Sequence, residues 1–304
     1  MDPLEDVLRL LSPRSHLSAR LAAGGTWALR FEPPDGVKFN AVRRGGCVLE
    51  VAGVEGAIEL SKGDCYLLTR PAAFVLRSDS STVPVDAGPV FARAEDGVAR
   101  VGDGEDVLLV GGGFSFAARA RELLIDRLPP VIHVPASSPH AEALRWALSE
   151  IEEELTHRPI ASSVVVEHLA TIMLVHVLRL HISRDPHAAA GWLAGLSDPV
   201  VATALARMHG DPAHPWTVAE LAALASVSRS TLASRFKTLV GIGPLEYLTR
   251  WRIELAARQL REGRATLAGV ARSVGYGTES ALSVAFKRVV GTSPSDYRSR
   301  QRAS

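Results

Sequence analysis

The stretch LASRFKTLVGIGPLEYL, running from Leu232 to Leu248, returns fifty residues later as LSVAFKRVVGTSPSDYR, running from Leu282 to Arg298. Phe236 answers Phe286, Lys237 answers Lys287, Gly241 answers Gly291, Pro244 answers Pro294 and Tyr247 answers Tyr297. The chain has only 8 Phe, 4 Tyr and 18 Pro, so these identities at one constant offset mark a duplicated unit. Upstream, Thr217-Val-Ala-Glu-Leu-Ala matches Thr266-Leu-Ala-Gly-Val-Ala at an offset of 49, so the halves differ by one residue. A fold that contains this chain must build the same small module twice.

Each copy reads as a short helix, a tight turn and a second helix. In the first copy, 217–237, Thr217 with Glu220 three residues on is a capping box. Val218, Leu221, Ala222 and Ala225 form its inner face, and Ser228 caps the next helix. Leu232 and Phe236 are four apart and point together into a core. Arg229, Ser230, Ala233, Ser234 and Lys237 are left facing outward. In the second copy, 266–288, Val270, Ala271 and Val274 pack inward, Gly275-Tyr276-Gly277 turns and Thr278 caps. Leu282 and Phe286 are the inner pair, and Glu279, Ser280, Ser283 and Lys287 face out, followed by Arg288. Between the copies, Pro244 suits a first helical position and Gly263 a C-terminal cap. Leu248, Trp251 and Leu255 make one stripe of that connecting helix. Two helix-turn-helix units on one frame suit two successive major grooves on one face of a DNA duplex. Phe236, Phe286, Tyr247 and Tyr297 read as core. Lys237, Lys287 and Arg288 read as phosphate contacts, the majority class at such interfaces. Arg229 stands near enough to a helix N-terminus to reach a base edge or a flanking phosphate. Glu279 can accept from a cytosine amino group or favour its own helix N-terminus.

The charge supports a polyanionic partner. The 304-residue chain has 34 Lys+Arg and 33 Asp+Glu. From residue 201 onward there are 15 basic and 7 acidic residues, which leaves 19 basic and 26 acidic for residues 1–200. A basic third joined to an acidic two-thirds favours nucleic acid as the partner of the basic part.

The rest of the chain has a different texture. About 20–115 is a series of short β-like runs broken by Gly-Gly, Lys-Gly-Asp and Arg-Pro, the pattern of a sandwich or barrel. Helical spacing then takes over from about 139 to 183, with Leu144, Leu148, Ile151 and Leu155 on one stripe. Residues 185–198 read as a linker with Pro and Gly at both ends. The fold expected is α+β in two domains: 1–184 for the barrel with its helices, and an all-α 199–304 for the repeat. The apolar stretch SSVVVEHLATIMLVHVLRLHI is interrupted by Glu167, His168, His176 and Arg179 and reads as a buried helix, not a membrane span. MDPLEDVLRLLSPRS has no basic n-region and does not read as a signal peptide. Two cysteines in a chain of this length favour a reducing, cytoplasmic setting. VGGGF at Val110–Phe114 reads as a turn or strand end, without the spacing of a phosphate-binding loop.

The tandem FK..VG..P..Y pattern and the closing FKRVVGTSPSDYR resemble the DNA-binding domain of AraC/XylS-type transcriptional regulators, over about 100 residues from Trp216 to Arg298. DPLEDVLRLLSPRS, GTWALRFEPPDGVKFNAV, LSKGDCYLLTRPAAFVLRS and LPPVIHV are similar to the cupin-type sensor domain of one branch of these regulators. The resemblance implies a non-enzymatic regulator, activator or repressor, with no cofactor. It binds double-stranded promoter DNA, acts with RNA polymerase and forms a homodimer through the helices after the barrel. Many members of the family have an Arg where this chain has Val284, so specificity shifts toward the first unit. Trp27, Phe39, Asn40 and Phe74 are the candidates for lining an effector pocket in the barrel, the effector being a small molecule the sequence does not identify.

Two other readings stay open: the same DNA binding with a barrel used only for dimerisation, and a cupin enzyme fused to a helical domain. All ten histidines lie at His16 or from His133 onward, outside the expected barrel. Asp64 and Glu59 alone make a poor transition-metal set, so no metal site is expected. Cys47 and Cys65 read as buried apolar residues, or as a redox pair if they approach closely.

Overall fold

The computed structural model of this chain describes residues 3–11, 14–116, 125–138, 141–184, 192–263 and 265–303. These residues divide into two compact units. One holds the described parts of 13–117 and 128–185, and the other holds α1 (Pro3–Leu11), a 3-10 turn at Ile125–Arg127 and everything from Trp192 onward.

The first unit is built on strands. They are β1 (Arg14–Leu17), β2 (Arg20–Gly24), β3 (Ala28–Phe31), β4 (Val37–Arg44), β5 (Gly46–Val51), β6 (Ile58–Ser61), β7 (Cys65–Leu68), β8 (Phe74–Arg77) and β9 (Val85–Asp86). A short helix α2 (Ala87–Ala92) follows, then β10 (Val98–Gly102), β11 (Val107–Ser115) and β12 (Val131–Val134). Among the described residues one sheet runs β10-β2-β11-β4-β7-β12, with β1 also paired to β11, and the other runs β6-β5-β8-β3-β9. Strand β5 alternates, burying Cys47, Leu49 and Val51 and turning its other face outward, as a half-covered strand does. Strand β7 (CYLL) is buried along its whole length, which a strand inside a sheet covered on both faces requires. One core joins the sheets: Leu21, Val42, Tyr66 and Leu109 from the larger, Leu29, Leu49, Phe74 and Leu76 from the smaller.

Two sequence expectations change here. The glycine run is not a turn or strand end, because Gly111, Gly112 and Gly113 lie inside β11. A Cβ on Gly112 would stand 2.7 Å from the Phe39 ring, and one on Gly113 2.6 Å from the His16 ring. The glycines leave room for these rings. The larger sheet also contains histidines after all. His16 in β1 faces Gly113 across the ladder, and His133 in β12 faces Tyr66. Both strands lie outside 20–115 and are drawn in by pairing with β11 and β7.

Two helices complete this unit, α3 (Glu142–His157) and α4 (Ser162–Arg184). Leu144, Ala147, Leu148 and Ile151 form the buried stripe of α3. Residues Ser162–Ile182 are long and apolar enough to cross a membrane, with a mean hydropathy of 1.6. Yet α4 packs along α3 and against β1 and β12, burying Leu169, Ala170, Met173, Leu174, Val177 and Leu178, as the core helix of a folded domain does.

The second unit is helical: α5 (Trp192–Leu196), α6 (Pro199–Gly210), α7 (Val218–Leu224), α8 (Arg229–Val240), α9 (Pro244–Glu262), α10 (Leu267–Ser273), α11 (Glu279–Val290) and α12 (Pro294–Ala303). Of the expected linker, 185–191 lie outside the described residues. Its remainder forms α5, with Trp192 and Leu193 buried, and the cap Asp198, whose Oδ1 accepts from Val200 N–H at 2.9 Å and Val201 N–H at 3.0 Å. The other difference is α1, expected with the barrel. It packs on α6 and α9 with Val7 and Leu10 buried, and Asp6 Oδ2 lies 3.3 Å from His209 Nδ1.

Candidate functional site

The two copies of the repeat fold alike because their local signals are alike. Thr217 Oγ1 accepts from Glu220 N–H, and Thr266 Oγ1 from Gly269 N–H, each at 3.1 Å. These cap α7 and α10. Ser228 Oγ accepts from Thr231 N–H and Thr278 Oγ1 from Ala281 N–H, also at 3.1 Å, and cap α8 and α11. Both second helices end on a left-handed glycine, Gly241 at φ 85° and Gly291 at φ 83°. Their N–H groups close on the carbonyls of Lys237 and Lys287 at 2.9 and 2.8 Å. The capping box at Thr217 is only half formed. The Glu220 carboxylate turns to His214, Oε1 to Nε2 at 2.8 Å, because the histidine three residues before Thr217 offers a ring nitrogen.

Leu232 and Phe236 in α8, and Leu282 and Phe286 in α11, are fully buried. Phe236 meets Tyr247 edge-on with centroids 5.7 Å apart, and Phe286 meets Tyr297 the same way at 5.4 Å. The aromatic pairs thus pin each second helix to the helix that follows it.

That leaves the opposite faces of α8 and α11 for a partner. Arg229, Ser230, Ser234 and Lys237 are exposed on α8, and Ala233 is half-buried beneath them. On α11, Glu279, Ser280, Lys287 and Arg288 are exposed and Ser283 is half-buried. Val284 stands among them 69% exposed, an apolar side chain on an otherwise polar face. Among the described residues, none of Arg229, Lys237, Lys287 and Arg288 has an acidic partner within ion-pair distance. Other surface arginines of the unit do: Arg235 with Asp198 at 3.5 Å, Arg250 with Glu246 at 2.6 Å and Arg258 with Glu262 at 3.0 Å. Unpaired cations on the outer faces of both second helices raise the local potential for an anionic ligand. The sequence reading passed over Arg272, which is exposed at the last turn of α10. Its only signal was a basic residue near a helix C-terminus, which ordinarily means dipole compensation.

In the strand unit a cavity of about 550 Å³ is lined by Phe31, Phe74, Phe91, Lys38 and His16, among others. Phe31 stacks on Phe74 with centroids 4.5 Å apart. Lys38 Nζ donates to Ser18 Oγ at 2.8 Å, and burial pulls its ammonium down to about 8. Of the four residues expected to line a pocket, Phe74 does. Trp27 is inside the common core, Phe39 lies over the glycine run, and Asn40 donates from Nδ2 to the buried Tyr66 hydroxyl at 2.5 Å.

Asp64 is committed to structure. Its carboxylate accepts from Ser61 N–H at 3.0 Å and Ala136 N–H at 2.7 Å, and lies 3.2 Å from His133 Nε2. Among the described residues no three His, Cys, Asp or Glu side chains cluster as a metal site would. Cys47 on β5 and Cys65 on β7 are both free and buried, and burial pushes both thiols up to about 12. Neither provides a reactive thiolate near neutral pH.

Residues 2–183 match the family described as Cupin, and 221–300 match the one described as Helix-turn-helix domain. A protein of Streptomyces lividans named as an AraC-like transcription regulator is 72% identical over 298 residues, covering 98% of both chains. A second so named, of Streptomyces antibioticus, is 68% identical over 298 residues with the same coverage. The HTH-type transcriptional regulator AlkR of Acinetobacter baylyi is 35% identical over 290 residues, 90% of this chain and 91% of that one.

Proposed function

The chain belongs to the AraC-type transcription regulators, with a cupin N-terminal region and a helix-turn-helix C-terminal region, and from that premise we propose how its two regions work. It is a DNA-binding regulator rather than an enzyme. In our reading α8 and α11 enter two successive major grooves of promoter DNA. The observation behind this is the set of unpaired, exposed cations on the outer faces of both helices, above a duplicated core. Arg229, Ser230, Ala233 and Ser234 read bases in the first groove. Glu279, Ser280 and Ser283 do so in the second, with Val284 offering only apolar contact. Lys237, Lys287 and Arg288 hold phosphates, joined by Arg272 on the helix that crosses the backbone. Selection of bound fragments from random duplex DNA at near-physiological salt tests it. Two enriched blocks about ten base pairs apart support the reading. One block, or none, overturns it.

The cavity walled by Phe31, Phe74 and Phe91 is proposed to hold a small, largely apolar effector, with Lys38 and Ser18 as its polar floor. Such a molecule shifts the DNA-binding equilibrium only through unequal affinity for two states of the protein. A thermal-shift screen with no hit among apolar small molecules would leave the strand unit as a dimerisation scaffold. The exposed apolar residues Trp146, Ile160, Val164, Val165 and Ile172, on and between α3 and α4, support a homodimer through these helices. Sedimentation should find Trp146→Glu monomeric at concentrations where the parent is a dimer. The raised thiols favour Cys47 and Cys65 as packing residues, so promoter binding should be the same in oxidant and in reductant. Action on RNA polymerase and a cytoplasmic setting follow from the same proposal.

A further inference from the structure

Two recognition helices read two grooves only if something sets the distance and angle between them. The connecting helix α9 is the obvious frame, but by itself it joins α8 at one end and α10 at the other through short turns. The side chain of Arg252 ties them more directly. It lies half-buried on α9 between two loops. Nε donates to the Pro212 carbonyl at 2.6 Å and Nη2 to the His214 carbonyl at 2.7 Å. Its guanidinium lies over the Tyr276 ring, 5.9 Å from the centroid.

Pro212 and His214 belong to the loop that leads into the first unit. That loop is stiff: His214 N–H donates to Asp211 Oδ1 at 3.1 Å, Trp216 Nε1 donates to the Asp211 carbonyl at 2.8 Å, and the His214 ring holds Glu220 of α7. Tyr276 belongs to the turn of the second unit, two residues before the cap of α11. Its N–H is fixed on the Ala271 carbonyl at 2.8 Å. The two loops also touch without a spare methyl of space. A Cβ on Gly275 would stand 2.6 Å from the Ala213 carbonyl oxygen and 2.9 Å from Arg252 Nη2.

We infer that Arg252, seated against Gly275, is the positioning residue that sets the spacing between the two DNA-reading helices, and so selects the base-pair separation of the two half-sites. It touches no DNA. It acts through the loop 211–216 on α7 and α8, and through Tyr276 on α11. A planar fork with several fixed donors suits this task. A lysine ammonium, a single point of charge, does not span two carbonyls and a ring at once. The inference rests on the proposal that both helices occupy grooves of one duplex.

The test uses the full-length protein and duplexes carrying the two selected blocks at the best spacing, at one base pair more and one base pair less, together with a duplex carrying the first block alone. One base pair turns the second groove by about 35°. The parent should lose about tenfold or more in affinity on either change, the loss of one well-placed base contact. Arg252→Gln should bind the three spacings within about twofold of one another, while its affinity for the single block stays at the parent value. Arg252→Lys keeps the charge but offers its donors from a single nitrogen, and it carries the test if the glutamine variant fails to fold; it should show the same loss of discrimination. A variant that binds every duplex more weakly but keeps the parent's spacing ratio overturns the inference, since a merely structural arginine behaves that way. A parent with no spacing preference overturns the two-groove reading itself, and the inference with it.

Discussion

The two copies of the repeat share a local design and differ in what surrounds them. Both use a hydroxyl cap on each helix, a buried Leu–Phe pair, a left-handed glycine and an edge-on tyrosine. In the first copy the tyrosine continues into a further layer. The Tyr247 hydroxyl lies 2.8 Å from His209 Nε2, and His209 stacks on Trp251 at 4.1 Å with Asp6 of α1 on its other nitrogen. Burial pushes the Tyr247 phenol up, and the Asp6 charge adds to this. In the second copy the Tyr297 hydroxyl accepts from Arg261 Nη1 at 2.8 Å and stays half-exposed. The same residues thus make one unit whose tyrosine is buried in a further layer and one whose tyrosine stays half-exposed beside a core of its own. The outer faces differ in the opposite sense of chemistry: Arg229 opens α8, while Glu279 opens α11 and Val284 interrupts its polar face.

The largest effects should be those that treat the copies as equals. Phe236→Ala and Phe286→Ala each remove a fully buried ring and should each lower stability by about 3–5 kcal/mol in urea unfolding. A much smaller cost for Phe286 alone would break the equivalence of the two cores. Tyr247→Phe and Tyr297→Phe should then separate them. The first leaves a buried imidazole nitrogen without its partner and should cost about 1–3 kcal/mol, while the second exposes Arg261 to water and should cost about 1 kcal/mol or less. Equal losses would show that the extra layer around Tyr247 adds nothing.

On DNA, Arg229→Ala should cost about 1–3 kcal/mol at a single base position and relax preference there. A uniform loss across sequences would make Arg229 a phosphate contact. Gly241→Ala and Gly291→Ala place a Cβ in the left-handed region with no neighbour within 4 Å, so each should cost about 1–2 kcal/mol and by the same amount. The smallest signals lie in the salt dependence. Lys237→Ala should flatten the slope of log affinity against log salt by about 1, and Val284→Arg should steepen it by about 0.9. No change from Val284→Arg, in slope or in base preference, would mean that this face of α11 does not meet the DNA.

Much of the helical unit could be read from the chain, because a helix is written in short-range signals. Thr217, Ser228, Thr266 and Thr278 cap the helices they precede, and Gly241, Gly263 and Gly291 end them, each acting within four residues of itself. The outward set on α8 and α11 followed from counting positions away from Leu232, Phe236, Leu282 and Phe286. The strand unit was less legible. Alternation shows that Cys47, Leu49 and Val51 share a face, but not which strand lies alongside. Trp27, Phe39 and Asn40 were therefore expected at a pocket and lie in packed surroundings, and His16 and His133 were expected outside a sheet that includes them.

The sequence by itself determined a duplicated helix-turn-helix with a basic outer surface, attached to a β-rich region and a helical pair. Periodicity, capping and charge are properties of neighbours along the chain, and they survive without knowledge of the fold. Only the tertiary structure decided that α1 packs on α6 and α9, that Gly112 and Gly113 of β11 make room for Phe39 and His16, and that Arg252 bridges the loops of two repeats. Each of these joins residues tens to hundreds of positions apart. No local preference selects such partners; the packing of the whole unit does, chiefly by burying apolar surface.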